Sequence, residues 1–299
     1  MNAPLPTGLQ ASLFGAGQRL HIQHGPTDLI IDADGPARLA LFEAALEAMR
    51  DVLAGLAEEL PLLRAPWQPA HPPSGPVARR MHDACALAGG DFVTPMAAVA
   101  GGIADHVLAA MMKDSTAATA TKISVNNGGD IAFWTGDEAI TRAAIAGPRF
   151  SSITLRGPTS WRGIATSGRG GRSLSPGIAD SVTALGDCAA TADVAATLIA
   201  GAVDCAATGI ERRPACEIDP DSDLGSRPVT IAVPPLRIAQ IDAALNAGKV
   251  AAMRIMKTGR IAGAVLELQG EIAVVGLDDP ATTLTAHHDT KEGPTDGED

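Results

Sequence analysis

The chain contains no tyrosine, and with three tryptophans and five phenylalanines its aromatic share is 3% of 299 residues. Its core must therefore be built from Ala, Val, Leu and Ile, which dominate a hydrophobic fraction of 46%. A ligand pocket cannot rest on tyrosine stacking. Cysteine is also scarce. Cys85, Cys188, Cys205 and Cys216 form no C-x-x-C and share no histidine spacing, which argues against a zinc site or disulfide frame. They read as small buried thiols. No basic stripe with interleaved aromatics exists, which argues against a nucleic-acid partner. The opening MNAPLPTGLQASLFG lacks a basic region followed by a long apolar run, so neither a signal peptide nor a lipoprotein signal is expected. Elsewhere Gly, Asp or Arg interrupts the apolar runs before membrane length. The expectation is a cytoplasmic protein with no membrane partner.

The net charge of −11 is unevenly spread. Asp278, Asp279, Asp289, Glu292, Asp296, Glu298 and Asp299 face only Lys291, so about half of it lies at one end. Residues 278–299 are expected to be an acidic, disordered tail. Residues 1–277 are expected to form one domain, with the Pro-rich connector 64–76 crossing a face of it.

Periodicity separates the elements. Arg19–Asp32 reads as two strands around His24-Gly25-Pro26, and His21 and His24, three apart on a strand, point to opposite faces. Pro36–Leu63 carries apolar residues at helical spacing and predicts one long amphipathic helix. Helices are expected near Val77–Leu87, Met96–Met112, Ala192–Val203 and Ile238–Asn246. Strands are expected near Lys122–Val125, Ile131–Trp134, Ser151–Leu155, Gly163–Ala165, Ser181–Ala184 and Val229–Val233, with a hairpin at Ile261–Val275. Helices and strands cluster rather than alternate, which fits an α+β class.

Four short stretches invite chemistry. Asn126-Asn127-Gly128-Gly129-Asp130 between alternating apolar runs is a hairpin signal, and its glycines also let a ligand approach backbone N–H groups. Thr166-Ser167-Gly168-Arg169-Gly170-Gly171-Arg172-Ser173 is no P-loop, yet its donors and arginines suit a phosphate or diphosphate; an exposed, solvated turn explains it equally well. Asp193 and Thr197 share a helical face and offer hard oxygen donors of the kind that hold Mg²⁺, although Asp193 also suits a helix cap. Gly101-Gly102 opens an apolar helix carrying Asp105 and His106, with Asp105 lining a site or satisfying a buried N–H.

In this order the four pieces resemble the ApbE superfamily of flavin transferases, from roughly Arg80 to Val203. The matching residues are Gly101–Asp105, Gly128-Gly129-Asp130, Thr166-Ser167-Gly168, and Ala192-Asp193 through Thr197. The wording FVTPMAAVAGGIADHV, SVNNGGDIA and TSGRGGRSLSPGIADSVT is similar to an uncharacterised prokaryotic branch of it. The resemblance implies an ApbE-like (T-fold-like) mixed sheet with packed helices. It implies that Asp193 and Thr197 hold Mg²⁺, with a carbonyl near Ala97–Ala100. It implies that FAD, as substrate or ligand, lies against Gly128, Gly129, Asp130, Thr166, Ser167 and Gly168, with Arg169 or Arg172 supplying charge. Family enzymes transfer FMN to a protein threonine and release AMP. The chain departs from them where Ala100 and Gly102 replace a Lys or Glu and a Tyr, and where Arg169–Ala179 lacks the family's histidine. Asp180, His82 and Asp105 are the candidates for catalysis. The implied function is a Mg²⁺-dependent FMN transferase or FAD-cleaving enzyme. The alternatives are a non-catalytic flavin or nucleotide binder, or an enzyme for another anionic metabolite on the same fold. A homo-oligomer is compatible with each.

Overall fold

A computed structural model describes residues 6–145, 150–171 and 173–286. The chain opens with three strands, β1 (Leu9–Phe14), β2 (Arg19–His24) and β3 (Thr27–Ala33). Helices α1 (Arg38–Ala48), α2 (Val52–Glu58), α3 (Leu60–Leu63), α4 (Pro76–Ala84) and α5 (Val99–Lys113) follow, then β4 (Lys122–Asn127), β5 (Asp130–Thr135), β6 (Ile140–Ala144), β7 (Phe150–Arg156), β8 (Gly163–Ser167) and β9 (Ser181–Gly186). Helix α6 (Ala189–Ala202) precedes β10 (Glu211–Pro214), α7 (Ala215–Ile218) and β11 (Pro228–Ala232). The described chain ends with α8 (Ile238–Met256), β12 (Ile261–Leu268), β13 (Glu271–Gly276) and β14 (Thr282–Ala286). This is the α+β class that the clustering predicts.

Nine strands form one antiparallel sheet in the order β1-β2-β3-β4-β5-β8-β9-β12-β13. Both faces of its middle are covered, because alternate residues of one strand enter two cores. Ala132, Val182, Ala184, Ala264 and Leu266 face the layer containing α1, α4, α5, α6 and α8. Phe133, Ile164, Leu185 and Val265 face the other way, onto Ala143, Ile153 and Leu155 of a three-stranded sheet, β14-β7-β6. The two-sided burial explains why β9 is buried along its whole length.

Several boundaries differ from those expected. The long helix of 36–63 is three helices, with Pro61 opening the last, where its missing N–H costs no ladder bond. Helix α8 runs ten residues past Asn246 to Met256. Gly248 does not stop it, because the absent side chain there makes room for Val203 and Leu266. Strands β1, β6, β10 and β14 carried no signal in the reading above. In β14, Thr282–Ala286 pairs with β7, so that part of the predicted tail is ordered; 287–299 lie outside the described residues. Pro95–Lys113 is long and apolar enough to cross a membrane, contrary to expectation, but α5 within it buries Ile103, Ala104, Val107 and Met111 in the core. The Pro-rich connector is pinned by the Trp67 N–H donating to the Val93 carbonyl at 2.9 Å.

Helices α5 and α6 touch backbone to backbone. A Cβ on Gly101 would overlap the carbonyl of Ala189. Gly55, inside α2, has nothing within 4 Å of the same position. Replacing either glycine with alanine gains about 1 kcal/mol of helix propensity. At Gly101 a backbone clash that no rotamer relieves outweighs it. Urea denaturation should show Gly101→Ala destabilised by about 1–3 kcal/mol and Gly55→Ala stabilised.

Candidate functional site

The junction of α5 and α6 organises the site. Asp105, on α5, accepts from the backbone N–H groups of Ala189 and Ala190 at 2.9 and 2.8 Å, the first turn of α6. In return Asp193, on α6, accepts from the N–H of Gly101 at 3.1 Å, in the first turn of α5. Each carboxylate satisfies donors that a helix start leaves unpaired and sits at a positive dipole end. Burial pushes the Asp105 carboxyl above its ordinary value, against the lowering pull of the two amides. Asp105 therefore works inside the fold, and it does not line the cavity.

The β4–β5 hairpin brings the third carboxylate. Asn127 pairs with Asp130, leaving Gly128-Gly129 as a two-residue turn with φ of 64° and 118°. Both glycine N–H groups are spent locally, Gly128 on the Asp28 carbonyl at 3.2 Å and Gly129 on Asn126 Oδ1 at 2.8 Å. The turn is exposed, and Gly128 and Gly129, expected against the ligand, are not among the residues that line the cavity described below. Its flanks do the work. Asn127, which the sequence reading passed over as part of the turn, is buried and donates to the Ala100 carbonyl at 3.1 Å, tying the hairpin to α5. Asp130 points into the cavity and accepts from the Thr166 N–H at 3.2 Å.

That cavity, of about 750 Å³, gathers Asp130, Thr166, Ser167, Asp193 and Thr197 along one part of its wall, and Ser173 also lines it. Thr197 and Ser167 place their hydroxyls 3.5 Å apart. The Asp130 and Asp193 carboxyls share a hydrogen bond, and the Asp193 pKa is raised well above 3.8, first by burial and then by the Asp130 charge. Ala97 and Ala100 also line the wall. Elsewhere the lining includes Asp91, Phe92, Arg64 and Arg227, with Asp219, Asp221 and Asp223 from the segment between α7 and β11.

Other expected contributors lie apart from it. Gly168 is buried with φ of 137°, and a Cβ would lie 2.8 Å from the Asp180 carbonyl, so its role is to pack the turn. Arg169 is paired with Asp180, which also accepts from the Gln269 N–H at 2.5 Å. Both are committed to holding the turn. Arg172 lies outside the described residues. His82 is buried against the Trp67 ring, centroids 5.7 Å apart, with Nε2 3.0 Å from the Gln68 carbonyl. None of the three catalytic candidates lines the cavity. All four cysteines are free. Cys216 is exposed, contrary to expectation, while burial pushes Cys85 and Cys188 up to about 12, where no thiolate nucleophile forms at neutral pH.

The raised Asp193 pKa has a sign for stability. The folded chain holds a proton that the unfolded chain releases, so this group costs stability as pH climbs from about 4 through the raised value. In metal-free buffer at pH 7, Asp193→Asn should melt about 2–4 °C above the wild type, with the difference vanishing in acid. Calorimetric scans at both pH values check it; a lower midpoint at pH 7 contradicts the assignment of strain.

Residues 11–274 match the family described as AbpE bacteria. A UPF0280 protein of Methanosphaerula palustris is 32% identical over 191 residues, covering 62% of this chain and 77% of that protein. Another, from Methanosarcina acetivorans, is 34% identical over 200 residues, covering 64% and 75%. Among solved structures, the apo form of the Pseudomonas stutzeri flavinyl transferase ApbE superposes with a TM-score of 0.50 over 93% of this chain and 95% of that one. At 14% identity that likeness speaks for the fold alone. With the family match spanning all but the two ends, the chain belongs to the AbpE bacteria family.

Proposed function

We propose that this is a Mg²⁺-dependent ApbE-like enzyme that binds FAD or a related diphosphate compound in the 750 Å³ cavity, and transfers FMN or cleaves FAD there. One observation carries the reading: Asp130, Thr166, Ser167, Asp193 and Thr197, from β5, β8 and α6, converge on one wall. The donor set fits the metal. Two carboxylates, hydroxyls and backbone carbonyls are hard oxygens, and Mg²⁺ is content with one or two carboxylates when ligand oxygens and water complete its shell. Among the described residues no three His, Cys, Asp or Glu side chains form a ready-made metal cage, in keeping with a site that the ligand completes. The Asp130–Asp193 repulsion is what a divalent ion would relieve.

When bound, Mg²⁺ supplies neutralisation of the diphosphate and polarisation of the phosphorus centre. The chain's own share is to orient and to receive a proton. Asp193, fixed by the Gly101 N–H, and Asp130, fixed by the Thr166 N–H, present carboxylate oxygens in a constant geometry. Ser167 and Thr197 offer hydroxyls beside them. Among the described lining residues there is no histidine, lysine, cysteine or glutamate, so any proton transfer falls to the aspartates.

That same absence favours a second reading, in which the cavity keeps the ligand without transferring anything. A cytoplasmic, small-molecule role fits both. Calorimetry with FAD, with and without Mg²⁺, separates the outcomes. The expected result is Mg²⁺-dependent binding, weakened about tenfold or more in Asp193→Ala, with AMP or FMN released on incubation. Binding without release would support the second reading. No binding in either condition would overturn the flavin reading.

A further inference from the structure

The cavity wall is acidic, and the two arginines among its described lining residues are in different situations. Arg64 reaches Asp221 at 3.9 Å. Arg227 instead lays its guanidinium over the Phe92 ring, 3.4 Å from the centroid. A cation–π contact uses the face of the guanidinium and none of its five N–H donors. Among the described residues those donors have no hydrogen-bond or ion-pair partner. They border a cavity that Asp91, Asp130, Asp193, Asp219 and Asp223 also line. The guanidinium is held by an aromatic ring rather than by an acid, so its N–H donors are open to an anion.

Both halves of the stack are anchored by backbone and side-chain bonds around them. Beside Phe92, Asp91 is paired with Arg254 of α8, and Val93 accepts from Trp67. Thr94 donates its hydroxyl to Asp223, joining this segment to the one that carries Arg227. The Arg227 carbonyl accepts from the Ala215 N–H at 2.9 Å, and its own N–H donates to Leu224 at 3.1 Å, at the end of the β10–β11 ribbon. The side chain is exposed, yet its base and its platform are fixed, which lowers the ordering cost when an anion arrives.

We propose that Arg227, stacked on Phe92, receives an anionic group of the ligand, a phosphate or carboxylate, and so sets which compounds the cavity accepts. The proposal rests on the reading that this cavity is the ligand site. It gives Arg227 the part that the sequence reading gave to Arg169 or Arg172; the charge of Arg169 is engaged by Asp180. An anion held at Arg227 and oxygens held through a cation at Asp193 would make two attachment points in one acidic cavity. A neutral compound would gain from neither.

The test is calorimetric titration of wild type, Arg227→Gln, Arg227→Lys, Phe92→Ala and Asp193→Ala with FAD, ADP and inorganic diphosphate, all with Mg²⁺. Melting curves confirm that each variant is folded. The proposal expects Arg227→Gln to weaken the anions that bind by about tenfold or more, as losing a charge-assisted hydrogen bond does. Arg227→Lys should recover part of it, and Phe92→Ala should lose part of it. Wild-type binding that Arg227→Gln leaves unchanged overturns the proposal while the cavity reading stands. If inorganic diphosphate alone binds, and needs Arg227, the flavin reading fails and the proposal stands. If none of the three binds the wild type, both fall.

Discussion

Two helix starts held together by each other's carboxylates set the geometry of everything else. Asp105 of α5 takes the first amides of α6, and Asp193 of α6 takes an amide of the first turn of α5. The exchange works only because Gly101 lets the α5 backbone lie directly on Ala189. The junction thus buries acids that are fully occupied on one side. Asp105 ends its reach there. Asp193 does not, because its remaining surface opens into the cavity beside Asp130. The candidate metal ligand is a helix cap first, so its position is fixed before any ligand binds.

The nine-stranded sheet delivers the other half. Antiparallel pairing of β4 with β5 and of β8 with β9 carries Asp130, Thr166 and Ser167 to the same sheet end, against the α5–α6 junction. Asn127 locks the two layers by reaching the Ala100 carbonyl. Covering the sheet's second face with β14-β7-β6 packs its middle strands on both sides. The acid-rich wall that results disfavours a bare anion and favours one accompanied by a cation.

Much of this was legible in the sequence, and the reasons for the rest are physical. Asp130, Thr166, Ser167, Asp193 and Thr197 stood out because the four segments appear in a fixed order, and they do line one cavity. Gly128 and Gly129 carried an ambiguous signal because a two-residue turn needs positive φ whatever it faces, and here neighbouring oxygens absorb its N–H groups. Arg169 misled because an arginine in a Gly-rich turn reads alike whether free or paired, and Asp180 pairs it. Asp105 had been weighed both as a site residue and as a satisfier of buried N–H groups; the second holds. Phe92 and Arg227 could not be found at all. They lie far apart in the chain, and only the meeting of the 91–94 segment with the β10–β11 ribbon joins them. Gly248 hid the length of α8 because a packing glycine and a stopping glycine look the same in one sequence.

The most direct test is a crystal structure grown with Mn²⁺ and FAD, read for anomalous scattering from the metal. The account predicts one peak in the cavity, within coordination reach of an Asp193 carboxylate oxygen and the Thr197 hydroxyl, bridging to ligand phosphate oxygens. A cavity that holds ligand without such a peak, or a metal bound away from Asp193, would contradict it.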